Sequence, residues 1–267
     1  MDDSNDSTKR PTRRSVLKAT GGALAGVGGV MAADPVAAHA KSVHRKMGRL
    51  SAQNMCDELN NSLCDYVDTI SSYADDPDDD PVYCPSDYPD DVCDFLSTID
   101  QSWNHYLNTQ HSTGEKGNAD HNAADEADNA HSRVNNNDYV EGAIKTGRAL
   151  HYIQDAGTLV HTGREAEQAA DYSIHYDFES WVRDNWDSYF KDDADTGSIM
   201  HMDGTGDIQS WTWNLADWAH DDLQDQWWDI DDGGSYYYSS TQDAQATRIA
   251  DAAIFSNGTV HWIWENA

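Results

Sequence analysis

Residues 150–161 read LHYIQDAGTLVH, and residues 175–186 read HYDFESWVRDNW. In the first stretch His151 and Asp155 stand four apart on a segment with helical periodicity, so both project from one face about one turn apart. His161 lies just past the predicted helix end, and His175 and Glu179 repeat the four-residue interval on a second predicted helix. A metal site needs neutral imidazole and ionised carboxylate donors that converge from elements fixed by packing. One His-x-x-x-carboxylate pair would mean little in a chain with 12 His and 48 acidic residues. Two such pairs joined by a His, among Leu150, Ile153, Leu159 and Val160, mark a metal site rather than a solvated helix face.

Working outward, helical spacing recurs along the chain. Leu59, Leu63, Val67 and Ile70 predict one helix over residues 51–74, ended by Asp75-Asp76-Pro77. An acidic, Pro-containing loop runs to Asp91, and a short helical piece leads to Trp103. Residues 108–118 read as loop and 119–134 as helix. Asn135-Asn136-Asn137 then break the chain, with Asp138 in N-cap position. Further helices are predicted over 139–154, 174–190, 211–228 and 241–264. Residues 198–206, Gly233-Gly234 and Tyr236–Tyr238 read as loops or turns. No alternating strand pattern and no internal repeat is present. The fold class is all-α, a single-domain multi-helix bundle over residues 41–267.

Residues 1–40 have a different character. Lys9, Arg10, Arg13 and Arg14 form a basic segment, a Gly/Ala-rich stretch follows, and Ala37, Ala38 and Ala40 supply small residues near its end. Arg13-Arg14 followed by Ser15, Val16, Leu17 and Lys18 is a twin-arginine export signal, so the protein is expected to be secreted by that route. The apolar stretch is shorter than the ~20 residues that span a bilayer. The chain is expected to lack a transmembrane segment and to be a monomer.

The formal charge is −31 over 267 residues. Removing residues 1–40 takes away five basic and four acidic residues and leaves about −32. Such a charge repels itself in dilute buffer, whereas molar salt shortens the Debye length to ~3 Å. With a mean hydropathy of −0.78, the composition is that of an extreme halophile. Ten Trp and thirteen Tyr supply a core and argue against a disordered acidic chain. Cys56, Cys64, Cys84 and Cys93 fit no CxxC metal site, and in an exported protein they point to disulfides, with Cys84–Cys93 closing the Pro-rich loop between them.

The two opening stretches resemble the zinc-dependent phospholipase C family. His151, Asp155, His161, His175 and Glu179 fall at that family's ligand intervals of 4, 6, 14 and 4. The related single-strand-specific zinc nucleases share the first three ligands but have a longer gap to the next His and usually end in Asp. Residues 103–108, WNHYLN, are similar to the family segment that carries a further ligand, which makes His105 the match, and His44 fits its N-terminal His. The family also uses its processed N-terminus. Cleavage after Ala38 would make His39 the first residue, and cleavage after Ala40 would make it Lys41. For the family's remaining Asp, which binds zinc and acts as base, the helix-end context ISSYADD points to Asp75. The distance to His105 points instead to Asp90 in DYPDD.

The resemblance implies up to three zinc ions. His105, His151, Asp155 and Asp75 or Asp90 would hold one, and His161, His175 and Glu179 a second. The N-terminus and His44 would hold a third, with Asp155 bridging. It implies hydrolysis of the glycerol-side phosphate ester of phospholipids by metal-activated water, with transient contact to a membrane surface. The alternative is a zinc nuclease on single-stranded nucleic acid, although no Lys/Arg groove with interleaved aromatics is visible. His111, His121, His131, His201, His220 and His261 read as surface residues. Trp211, Trp213, Trp218, Trp227 and Trp228 read as packing residues.

Overall fold

In the computed structural model, which describes residues 37–79, 105, 107–110, 116–162, 172–232 and 239–267, helix dominates. Helix α1 (Ala37–Leu59) and a 3-10 turn (Ser62–Tyr66) lead into α2 (Val67–Tyr73) and a second 3-10 turn (Asp76–Asp79). A two-residue ladder pairs β1 (Leu107–Asn108) with β2 (Lys116–Gly117), antiparallel. Then come α3 (Ala119–Asn135), α4 (Tyr139–Ala156), a 3-10 turn (Leu159–His161) and α5 (Tyr172–Asp184). A π-helical turn (Trp186–Phe190), α6 (Lys191–Ala194), α7 (Thr205–Asp232) and α8 (Ser239–Trp264) complete the order. The fold class is all-α, as the periodicity predicts, and Pro35–Ala267 form one unit. Residues 1–36 of the expected export signal and the loop around Asp90 lie outside the described residues.

Helix α4 is the axis of this arrangement, packed by α1, α2, α3, α7 and α8. Its C-terminal half is buried almost all round, from Ala149 to Ala156 with only Tyr152 half-buried. Small residues let its neighbours come close. Ala119, Ala123, Ala127 and Ala130 recur at three- and four-residue spacing along α3 and are fully buried against the core. Gly147 of α4 crosses α2 so tightly that a Cβ there would lie 2.6 Å from the Ile70 carbonyl oxygen. One turn later in α4 comes His151, which this crossing brings against the end of α2. Trp264 closes the core from α8, fully buried, with its Nε1–H donating to Thr146 Oγ1 at 3.1 Å.

Three details correct the sequence reading. The helix predicted over 51–74 is broken, because Asn60 adopts a left-handed φ of 48° and a 3-10 turn separates α1 from α2. A disulfide, Cys56–Cys64, staples that break. Of the three possible pairings it is compatible with the one that also joins Cys84 to Cys93, residues that lie outside those described. Asp138 occupies the N-cap position of α4 without capping it, and its carboxylate accepts instead from Arg133 Nη1 at 3.1 Å. His220 is buried rather than at the surface, since it falls on the inward stripe of α7 with Thr212, Leu215, Ala216, Ala219 and Leu223.

His121 and His201 are exposed, and His261 is half-buried. His131 is half-buried, stacked on Trp262 with ring centroids 4.3 Å apart. His111 and Trp228 side chains lie outside the described set. Trp211, Trp213 and Trp227 pack against the core, while the more exposed Trp218 carries the Arg248 guanidinium over its ring. No described helix is long and apolar enough to cross a membrane.

Candidate metal centre

The inner face of α1 carries His44, Met47, Ser51, Ala52 and Met55, buried at helical spacing, so packing of this stripe fixes where His44 points. On α4 the four-residue interval places His151 and Asp155 together, with His151 Nε2 3.0 Å from Asp155 Oδ2. His105 arrives from outside the bundle, its Nδ1 2.9 Å from the same oxygen and 2.7 Å from His151 Nε2. The other carboxylate oxygen, Asp155 Oδ1, faces His44 Nε2 at 3.4 Å and His161 Nδ1 at 3.3 Å. One carboxylate thus lies among four imidazoles.

His161 turns its other nitrogen to the next group. Its Nε2 is 3.0 Å from Glu179 Oε1, and His175 Nε2 is 2.8 Å from that oxygen. Two sets of donors therefore converge, His44 with His151 and Asp155, and His161 with His175 and Glu179. His105 joins the first set through Asp155 and His151.

The surroundings orient these rings. His151 Nδ1–H donates to the Ala74 carbonyl at 2.9 Å, which turns Nε2 toward Asp155 Oδ2. His44 Nδ1 lies 2.8 Å from Gln154 Oε1. The turn that projects His161 is clamped by Gln245 of α8, whose Oε1 accepts from Leu159 N at 3.2 Å while its Nε2 donates to the Gly157 carbonyl at 3.2 Å. Gly157 permits this docking, since a Cβ would meet Ala252 Cβ at 3.0 Å. No ligand interval marks Gln154 or Gln245. What could have flagged them is polarity at positions where the helix pattern is otherwise apolar.

Burial pushes the Asp155 carboxyl up, but the charges of His151 and His161 and hydrogen bonds from His105 and His151 outweigh it. The group is held well below the usual carboxylate range. Burial likewise raises Glu179, and His175 and His161 reverse the effect, leaving it ionised far into acid.

The donor set fits zinc. Neutral imidazole nitrogens and carboxylate oxygens are its ligands, and bond lengths near ~2.0–2.1 Å separate tetrahedral donors by about 3.3 Å. Asp155 Oδ1 is buried and has no hydrogen-bond partner among the described residues, although two imidazole nitrogens face it. A cation shared among those atoms would satisfy all three.

Asp75, Asp90 and His39 are the remaining predicted residues. Asp75 is buried, but its Oδ2 pairs with Arg45 Nη2 at 2.7 Å and it belongs to neither converging set. Asp90 lies outside the described residues. His39 falls in the opening turn of α1, and its side chain is not among those described.

No protein-family model and no curated protein sequence matches the chain. Solved structures do. The chain is similar to the crystal structure of Clostridium perfringens alpha-toxin from an avian strain, with TM-score 0.58 and 16% identity over 85% of this chain and 64% of that one. It is similar also to the alpha toxin from Clostridium absonum, with TM-score 0.58 and 14% identity over 87% of this chain and 65% of that one. The chain thus spans about two thirds of the length of these structures, and what it shares with them is the fold.

Proposed function

We propose that this protein is a zinc-dependent phosphoric ester hydrolase of the phospholipase C type, exported by the twin-arginine route and active at high salt. The observation that carries this reading is the placement of Asp155 among His44, His105, His151 and His161, with His161 passing on to Glu179 and His175. The family resemblance of those residues and the alpha-toxin fold support it.

His105, His151, Asp155 and His44 would hold ions of the first group, and His161, His175 and Glu179 that of the second. Bound there, zinc supplies Lewis-acid activation of water and neutralises charge on the phosphoryl oxygens. The chain contributes the rest. Asp155 and Glu179 stay ionised at neutral pH, so they offer full negative charge to cations without first releasing protons. The Ala74 carbonyl keeps His151 in the tautomer whose Nε2 faces the site. Packing of α1 and α4 buries His44, His151 and Asp155 and strengthens the field of these donors. The substrate is a phospholipid met in transient contact with a membrane surface by a monomer.

The test is hydrolysis by the exported, zinc-loaded protein in molar salt, with phosphatidylcholine vesicles and single-stranded DNA and RNA as parallel substrates. Diacylglycerol release that stops with chelator and returns with zinc is expected. Nucleotide release without lipid cleavage would replace this reading with the nuclease.

A further inference from the structure

We propose that Gln154 is the positioning residue that sets the tautomer of His44, and so determines whether the first group takes its full complement of metal. The inference rests on the metal-centre reading above. For His44 Nε2, the atom facing Asp155 Oδ1, to bind a cation it must present a lone pair, so the ring proton must sit on Nδ1. Nδ1 lies 2.8 Å from Gln154 Oε1, which can only accept. The side-chain amide therefore stabilises the metal-binding tautomer. Turned over, it would present its NH2 to Nδ1 and force the proton onto Nε2, against the position a cation needs.

The contact to His44 is the hydrogen bond of this side chain among the described atoms. Gln154 is buried, 3% exposed, and its Nε2 has no hydrogen-bond partner among the described atoms. No other side-chain contact among the described residues competes with His44 for the orientation of this amide. The cavity beside it, walled by His44, Val43, Met47, Val182 and Ile249, is about 30 Å³, room for a single water. The contrast with His151 is chemical. That ring is held by a backbone carbonyl, which no substitution removes, whereas His44 is held by a side chain adjacent to the ligand Asp155.

Two variants and one spectrum test this. Gln154→Leu removes the acceptor at similar size, and Gln154→Glu keeps an acceptor oxygen. Zinc is titrated against a chromophoric chelator, and the His44 imidazole is read by nitrogen-15 NMR of histidine-labelled protein, assigned with His44→Gln. Gln154→Leu should weaken one ion by about 10–100-fold and leave the affinity of the His161–His175–Glu179 group unchanged. Gln154→Glu should restore it. In loaded wild-type protein His44 should carry its proton on Nδ1. Wild-type affinity for every ion in Gln154→Leu, or a proton on His44 Nε2 in the loaded wild type, would overturn the proposal. The NMR measurement needs no Gln154 variant to fold. A wild-type protein that takes up no zinc overturns the metal reading itself, a separate outcome from failure at Gln154.

Discussion

The two donor groups share His161 as a neighbour, yet the fold holds them differently. In the first, His44, His105, His151 and Asp155 come from α1, a residue preceding β1, and α4, and none of the four side chains is more than 13% exposed. In the second, His175 and Glu179 sit one turn apart on α5 alone, and His175 is 36% exposed. The first group is braced from outside, by the Ala74 carbonyl on His151 and the Gln154 amide on His44. In the second, His175 and His161 both turn to Glu179 Oε1. Desolvation strengthens the attraction between donors and a cation, and bracing removes the entropy of bringing donors together. On the proposed reading, the first group would be the tighter site and the second the one that exchanges.

The largest effect should come from the residue both groups face. Asp155→Asn keeps the shape but removes the charge that lies between four imidazoles, and hydrolysis should fall to background with zinc content reduced by more than one ion. Near wild-type hydrolysis with full zinc content would sink the proposed mechanism. Next, His151→Ala and Glu179→Ala should each empty chiefly one group, with affinity for that ion falling more than about 100-fold, beyond the range expected for an outer-sphere partner. If either substitution empties both groups equally, the two are one cooperative site and the comparison fails. Competition with a chelator should strip the His175 group first in wild-type protein, read as a fast and a slow phase of zinc release.

Much of this was legible in the sequence, for a physical reason. The interval of four on a helix is a statement about direction, so His151 with Asp155 and His175 with Glu179 could be paired without coordinates. The inward stripe of α7 carries the same kind of information for His220, which shares spacing with Leu215, Ala216, Ala219 and Leu223. Its neighbours Asp217, Asp221 and Asp222 mask that stripe. The break at Asn60 was not legible, because Leu59, Leu63, Val67 and Ile70 keep helical spacing straight through it. Only the left-handed residue and the Cys56–Cys64 bond reveal it. Asp75 stands at the helix end where the resemblance places it, and its Oδ2 pairs there with Arg45, one residue beyond His44. Such a contact between distant segments leaves no mark on local pattern.

Acid separates the contributions of the two carboxylates in metal-free protein. Both are held below their ordinary range in the folded chain, so each stabilises the fold at pH values above the unfolded carboxylate range near ~4. That contribution shrinks as the pH falls through and below this range. The melting temperature of the metal-free protein should therefore drop on going from about pH 5 to about pH 3, and the drop should be shallower in Asp155→Asn. A pH profile unchanged by the substitution would show that the imidazoles around Asp155 do not stabilise its ionised form.

The smallest effect expected at the site tests whether bracing is local. The Cys56–Cys64 bond closes a short loop at the C-terminal end of α1, with eight residues of sequence separation. Loop-closure entropy for such a span corresponds to about 2–3 kcal/mol of stability. His44 lies on the same helix but twelve residues earlier, more than three turns away. The rows of buried side chains between them, Met47, Ser51, Ala52 and Met55, are anchored to the core independently of the disulfide. Replacing both cysteines by serine should lower the denaturation midpoint while leaving zinc affinity of the first group within about twofold, since the contacts that orient its rings are untouched. If affinity at His44 instead falls along with stability, the group is held by the helix as a whole rather than by its immediate partners, and the two donor groups differ less than their burial implies.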